Sequence, residues 1–361
     1  MKKIVLMLAA AVLSFTALAQ PQGGFWGPRQ ETIKVWPDGA PNAFTYDVSK
    51  DPHGDQYQEA ILEIYPARNP NGRCIIICPG GGYAVLSMTH EGRDIRQWLN
   101  ARGFTCCLLQ YRMPRGHHDV PLSDVQQAMR IMRGRTDLGV THIGVMGFSA
   151  GGHLASTAST HYVDAATRPD FQILVYPVIT FEKPYTHDGS VYGLLGDNPS
   201  QEMLDLYSNQ KQVTKDTPPA FILAATDDFL VPVKNSLLYY EALVENKVSA
   251  TMHIYPTGGH GFGWGDNYIY KTEWSEELEK WFDTVAQREG MLYELYKAAA
   301  LYFARIHDLE MASDLCLKME KEASLCGKSE DVLAGDLSFL HGKIDQYRKN
   351  PTGPRIFSNG W

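Results

Sequence analysis

The chain has 361 residues, of which 44% are hydrophobic and 20% charged, and its formal net charge is −8. That balance leaves no basic stripe of the kind that nucleic acid or an anionic membrane surface attracts, so neither is expected as a partner. The length suits one large α/β domain with an appendage.

Met1-Lys2-Lys3, the apolar stretch from Ile4 to Val12 and Ala17-Leu18-Ala19 form the three parts of a secretory signal peptide over 1–19. The apolar run is too short to span a bilayer. No cysteine stands near the cleavage position for a lipid anchor, so a periplasmic or secreted protein beginning at Gln20 is expected. After a Gly/Pro-rich leader, Glu31 to Trp36 alternates like an edge strand, and Gln58 to Tyr65 reads as a second strand. Cys74-Ile75-Ile76-Ile77-Cys78 is a continuous apolar run, which fits a strand buried on both faces. A helix over Glu91 to Arg102 leads to a strand at Phe104 to Tyr111. Leu122, Val125, Met129 and Met132 then mark an amphipathic helix.

His142 to Phe148 is the next strand, followed by a helix of small residues from Gly152 to Thr160 and a strand at Phe171 to Tyr176. The run from Thr180 to Pro218 interrupts this rhythm, with one helix expected at Gln201 to Ser208. Phe221 to Ala225 resumes the sheet, Asn235 to Glu245 is helical, Ala250 to Tyr255 is the last strand, and Glu276 to Gln287 is the closing helix. Alternating strands and helices imply a mostly parallel sheet covered on both faces, over 20–287. From 288 to 361 the character changes. Leu292, Leu295, Tyr296, Ala299 and Tyr302 recur at helical spacing, so two or three helices are expected, with a break near Gly327. This extension reads as a packing appendage, with substrate binding or a homodimer surface as the alternatives.

Of the six cysteines, Cys74, Cys78, Cys106 and Cys107 fall in strand-like runs, where cysteine acts as a small core residue. Cys316 and Cys326 on one continuous helix would stand about 15 Å apart, too far to bridge. No spacing reads as a zinc site, and neither a metal nor an organic cofactor is expected.

The chemistry centres on Gly147-Phe148-Ser149-Ala150-Gly151, a G-x-S-x-G sequence between a strand and a helix. Such a turn holds its serine on a strained elbow, and its glycines are there because a Cβ would collide with the turn. A serine hydroxyl needs a base to take its proton and a carboxylate to orient that base, in the chain order serine, acid, histidine. Asp227 and Asp228 follow one buried strand, and His260 follows the last, flanked by Gly259 and Gly261. These are strand C-terminal ends, where open α/β sheets build sites. Either aspartate could equally serve turn chemistry. His153, one helical turn beyond Ser149, reads as a packing and hydrogen-bonding residue, with catalytic base as the alternative. Pro79-Gly80-Gly81-Gly82-Tyr83 ends an early buried strand, and backbone N–H groups there can approach an oxyanion closely. Gly81 and Gly82 are chosen as donors over Gly80, with the Ala150 N–H as the partner donor.

Together, Pro79 to Tyr83, His90-Glu91-Gly92, Tyr111 to Pro114, Gly147 to His153, Pro218-Pro219, Asp228 to Pro232 and His260-Gly261-Phe262 resemble the α/β-hydrolase esterases of the BD-FAE and acetylxylan-esterase-like group. The resemblance covers about residues 60–285 and implies an α/β-hydrolase fold with a C-terminal helical appendage. It also implies a serine esterase removing short acyl groups, acetyl first, from acetylated xylan or related plant polysaccharide. Its members place the acid three residues before a Val-Pro pair, which favours Asp228. Pro79 stands where related lipases carry the histidine of H-G-G-G, a departure that bears on the oxyanion donors. Tyr83, Tyr192 and Trp264 are candidate platforms for a sugar ring, or core residues, or walls of an acyl pocket. Two other readings remain: an exopeptidase or amidase related to the prolyl-oligopeptidase hydrolase domain, and a non-catalytic carbohydrate-binding protein on the same fold. The first usually carries an N-terminal propeller, for which the fewer than about forty residues between the expected signal peptide and the second strand are too few. The second usually lacks a triad member.

Overall fold

A computed structural model describes residues 30–47, 57–325 and 330–349. The expected signal peptide, Cys326 and the break near Gly327 lie outside the described residues. Eight strands form one sheet: β1 (Glu31–Lys34), β2 (Ile61–Tyr65), β3 (Arg73–Cys78), β4 (Thr105–Gln110), β5 (His142–Phe148), β6 (Phe171–Val175), β7 (Ala220–Ala225) and β8 (Ala250–Tyr255). Their order is β1-β2-β4-β3-β5-β6-β7-β8. The β1–β2 and β2–β4 pairs are antiparallel and the other pairings parallel, so every strand but β2 points its C-terminal end the same way.

The continuous apolar runs are explained by burial on both faces. Cys74, Ile76 and Cys78 of β3 face one apolar cluster with Met129, Leu154, Tyr239 and Leu243. Those residues come from helices α2 (Asp119–Arg133), α3 (Ala150–Thr160) and α6 (Lys234–Glu245). Ile75 and Ile77 point the opposite way, toward Ile95 and Leu99 of α1 (Asp94–Ala101) and toward Trp274, Leu278, Trp281 and Phe282 of α7 (Lys271–Arg305). Period-two alternation therefore feeds two cores from a strand that is apolar at nearly every position. Gly144 in β5 is needed for close approach, since a Cβ there would lie 2.0 Å from the Phe171 ring.

Two expectations differ from the structure. The 180–218 segment holds α5 (Gln201–Leu206) and also α4 (Asp188–Leu195). The second of these has no marked apolar stripe, and its N-terminus is capped by the His187 side chain, which accepts from the Ser190 N–H. That is outside the usual capping set of Ser, Thr, Asp and Asn, so no start signal is visible. The closing helix α7 runs on through the expected boundary at 287/288 to Arg305, because Arg288-Glu289-Gly290 contains neither a proline nor a cap. Its far end packs with α8 (Leu309–Leu325) and α9 (Glu330–Lys349) around Tyr293, Ala300, Ala304, Cys316, Met319, Leu340 and Ile344, a small core separate from the two flanking the sheet. The Tyr293 hydroxyl and Lys297 Nζ both bond Asp336 at 2.7 Å, tying α9 to α7. Among the described residues no helix is long and apolar enough to cross a membrane. Cys74, Cys78, Cys106, Cys107 and Cys316 are buried free thiols.

Candidate active site

Ser149 links β5 to α3 with φ 54° and ψ −121°, a region that costs a non-glycine residue free energy. The surrounding glycines permit the turn. A Cβ on Gly147 would stand 2.0 Å from the Gly151 carbonyl oxygen, and one on Gly151 would stand 2.1 Å from the Cys78 carbonyl oxygen. The strain is over-determined by hydrogen bonds. Ser149 donates its N–H to the Val175 carbonyl at 3.1 Å, and its own carbonyl accepts from His153 and Val178, both at 3.0 Å.

The structure brings Ser149, His260 and Asp228 into one hydrogen-bonded chain. His260 Nε2 lies 2.8 Å from Ser149 Oγ, and His260 Nδ1 lies 2.7 Å from Asp228 Oδ2. Asp228 Oδ1 accepts the N–H groups of Leu230 at 3.0 Å and Val231 at 2.8 Å. A carboxylate held this way accepts the Nδ1 proton, which leaves Nε2 bare to accept the Ser149 hydroxyl proton. Asp227 sits elsewhere: its Oδ1 accepts the Gly259 N–H at 2.7 Å and anchors the loop before His260. Adjacent residues thus divide two jobs, one holding the ring and the other the loop that carries it.

Beside Ser149 lie the glycines after β3. Gly81 and Gly82 have φ of +136° and +66°, and a Cβ on Gly81 would meet the Val85 carbonyl oxygen at 2.0 Å. Among the described residues their N–H groups have no protein acceptor. Ala150 opens α3, so its N–H has no intrahelical acceptor either. The Gly80 N–H is different, because it is taken at 2.7 Å by Glu91 Oε2. The helix dipole of α3 adds a positive end aimed at the same place.

The sequence reading gave Glu91 and Tyr176 no part in the site. Glu91 is 3% exposed, and its Oε1 accepts the Tyr176 hydroxyl at 2.7 Å. Burial pushes its carboxyl up, opposed by the hydrogen bonds from Tyr176 and Gly80. Tyr176 follows β6 with φ 36°, and its ring meets that of His260 edge-on at 4.9 Å. The signal for Glu91 was its place in the His90-Glu91-Gly92 motif, to which no role was attached, and for Tyr176 a tyrosine ending a buried run. His153 is fully buried and bonded to the Tyr83 hydroxyl and the Tyr207 carbonyl, both at 2.8 Å, and burial lowers its pKa to about 4.

The three candidate sugar platforms separate. Tyr83 is 2% exposed, with its hydroxyl on His153 and its ring beside Tyr111, so it is a core residue and cannot stack on a sugar. Trp264 is half-buried between Trp98 and Trp274, with Lys271 Nζ 4.9 Å from its ring, which leaves it little free face. Tyr192 is 63% exposed on α4. This helix adjoins the glycine loop: a Cβ on its Gly193 would lie 2.9 Å from the Gly82 carbonyl oxygen. A separate cleft of about 150 Å³ at the antiparallel edge, lined by Trp36, Phe44, Tyr46, Tyr57 and Arg112, contains none of these residues. Among the described residues no group of three or more His, Cys, Asp or Glu is placed to hold a metal ion.

Residues 75–263 match a family described by its alpha/beta hydrolase fold. An acetylxylan esterase of Xylanibacter ruminicola is 38% identical over 249 residues, 67% of this chain and 50% of that protein. An endo-1,4-beta-xylanase B of Butyrivibrio fibrisolvens is 38% identical over 205 residues, 52% of this chain and 32% of that protein. The chain therefore spans about half or less of the length of these curated relatives. Among solved structures, an acetyl ester-xyloside bifunctional hydrolase from Caldicellulosiruptor lactoaceticus aligns with a TM-score of 0.64 at 35% identity, covering 73% of this chain and 98% of that one.

Proposed function

Because this chain belongs to the alpha/beta hydrolase fold family, we propose that it is a serine esterase releasing acetyl groups from xylan or a related plant polysaccharide. The observation that carries the reading is the unbroken chain Ser149–His260–Asp228, with contacts of 2.8 and 2.7 Å, beside backbone N–H groups without acceptors. In the proposed reaction Ser149 Oγ attacks the ester carbonyl while His260 Nε2 takes its proton. Asp228 holds the resulting imidazolium. The N–H groups of Ala150, Gly81 and Gly82 stabilise the tetrahedral oxyanion. His260 then protonates the departing sugar hydroxyl. Water, deprotonated by the same imidazole, releases acetate and restores Ser149.

The acetyl and xylan assignment is supported by the names of the two relatives and the solved neighbour, and by the exposed Tyr192 ring near the glycine loop. The proposal includes export, supported by the Lys-Lys, apolar run and Ala-Leu-Ala pattern of residues 1–19. The test is acetate release from acetylated xylan by the wild type and by Ser149→Ala, with p-nitrophenyl acetate and an aminoacyl anilide alongside. Loss of the nucleophile lowers kcat by on the order of 10⁶. Release from xylan that disappears in the variant supports the proposal. Turnover of the small ester alone rejects xylan, and equal turnover of the anilide favours the amidase reading.

A further inference from the structure

The hydrogen bonds around Glu91 form a closed circuit. Its Oε2 takes the Gly80 N–H and its Oε1 takes the Tyr176 hydroxyl, each at 2.7 Å. The Tyr176 hydroxyl oxygen in turn accepts the Gly263 N–H at 2.9 Å. Gly80 stands against the nucleophile, since a Cβ there would lie 2.9 Å from Ser149 Cβ and 2.8 Å from Glu91 Oε2. Gly263 belongs to the loop that carries His260, and the Tyr176 ring rests on the His260 ring. The Trp264 N–H also bonds the His90 carbonyl at 2.8 Å, a second tie between the same two segments. Glu91 itself lies in a wide five-residue turn, Thr89–Arg93, where Arg93 N–H reaches the Met88 carbonyl at 2.9 Å. Such turns are rare and concentrate at functional sites.

Both Glu91 oxygens act as acceptors, a pattern that an ionised carboxylate satisfies in full. Burying a carboxylate is costly unless its partners are well placed, and a purely structural brace could be made from neutral groups. The charge also faces His260, which becomes cationic when Ser149 attacks.

We propose that Glu91, acting through Tyr176, is a positioning residue that locks the glycine loop to the histidine loop and so fixes the distance between oxyanion donors and base. The proposal rests on the esterase reading above. Without the lock, the site keeps its parts and its ground-state binding pocket, but the donors and the base no longer hold one spacing as the transition state forms. The defect therefore falls on kcat rather than KM.

The test uses the full-length protein, with active sites counted by a fluorophosphonate that labels Ser149 and kinetics measured on p-nitrophenyl acetate. Tyr176→Phe removes only the hydroxyl and leaves the ring on His260, and it lowers kcat per titrated site about tenfold with KM within about twofold. Glu91→Gln removes the charge and one of the two acceptor oxygens and lowers kcat about a hundredfold. The double variant is no worse than Glu91→Gln alone, because both act through one linkage. A merely structural role gives lower Tm with unchanged kcat per titrated site, and that result overturns the proposal, as does multiplication of the two losses. If Glu91→Gln does not fold, Tyr176→Phe carries the test alone. A wild type that does not label overturns the esterase reading and the lock with it. A labelled wild type with kinetically silent variants overturns the lock only.

Discussion

The two ends of this molecule are built on opposite principles. At the C-terminal ends of the parallel strands, backbone is packed against backbone. Ser149, Gly81, Gly82 and Tyr176 all have positive φ, and added Cβ atoms on the surrounding glycines would fall about 2 Å from carbonyl oxygens. The C-terminal helices instead hold a small core of alanines, Met319, Leu340 and Ile344, while Leu295, Leu317 and Phe339 are left more than half exposed. One region has almost no slack and the other has a great deal. Position within the site depends on many contacts at once, so small changes there are felt in chemistry. Changes in the helices are felt, if at all, in stability.

The sharpest way to test this contrast is within two adjacent residues of the tight end. Asp228→Asn leaves the shape intact but removes the acceptor that fixes the His260 tautomer, and kcat falls by about 10⁴. Asp227→Asn touches only the Gly259 N–H and lowers kcat by about tenfold or less. Steady-state kinetics on p-nitrophenyl acetate separates them, and equal losses would mean that the loop rather than the imidazole is what matters.

A smaller effect concerns His153, buried one turn beyond Ser149. Its folded pKa is about 4, lowered by burial, against an ordinary value near 6.5. Between those values the unfolded chain binds the extra proton, so stability rises with pH. The contribution is complete above about pH 6.5 and is lost as the pH falls toward 4, by up to about 3 kcal/mol. Urea unfolding at pH 7, 5.5 and 4.5 measures this slope, and His153→Gln flattens it. An unchanged slope in that variant would assign the acid sensitivity to other groups. His142 is a second contributor of the same sign, lowered to about 4 by its own burial at the opposite end of β5.

The smallest effect is expected from removing the slack region. Ending the chain after Arg288 keeps Trp274, Leu278, Trp281 and Phe282 on the sheet and leaves kcat/KM within about twofold. A large loss of activity in a folded truncation would give these helices a part in substrate binding and erase the contrast.

How much was legible beforehand follows the range of each signal. Buried parallel strands were readable because Cys74 to Cys78 and Ile143 to Phe148 carry runs without a polar residue within single short segments. Ser149 stood out because an elbow needs its glycines two residues away on either side, and His260 because a strand end and two flanking glycines are local features. Helix α4 was invisible, since its cap is a histidine and its apolar face is not periodic. Tyr83, open beforehand as a sugar platform, a core residue or a pocket wall, lies in the core, because aromaticity says nothing about which way a ring turns.

The amino-acid sequence by itself determined the order of strands and helices, the elbow and the small set of residues able to do acyl transfer, since periodicity and turn chemistry act over a few neighbours. The family resemblance favoured Asp228, but only the tertiary structure decided that it reaches His260 while Asp227 anchors the loop. It alone brought Glu91 to Gly80 and Tyr176, 11 and 85 residues away along the chain. Those partners meet because parallel strands deliver distant loops to one edge of the sheet, and a side chain's partner across that edge leaves no mark in its own neighbours.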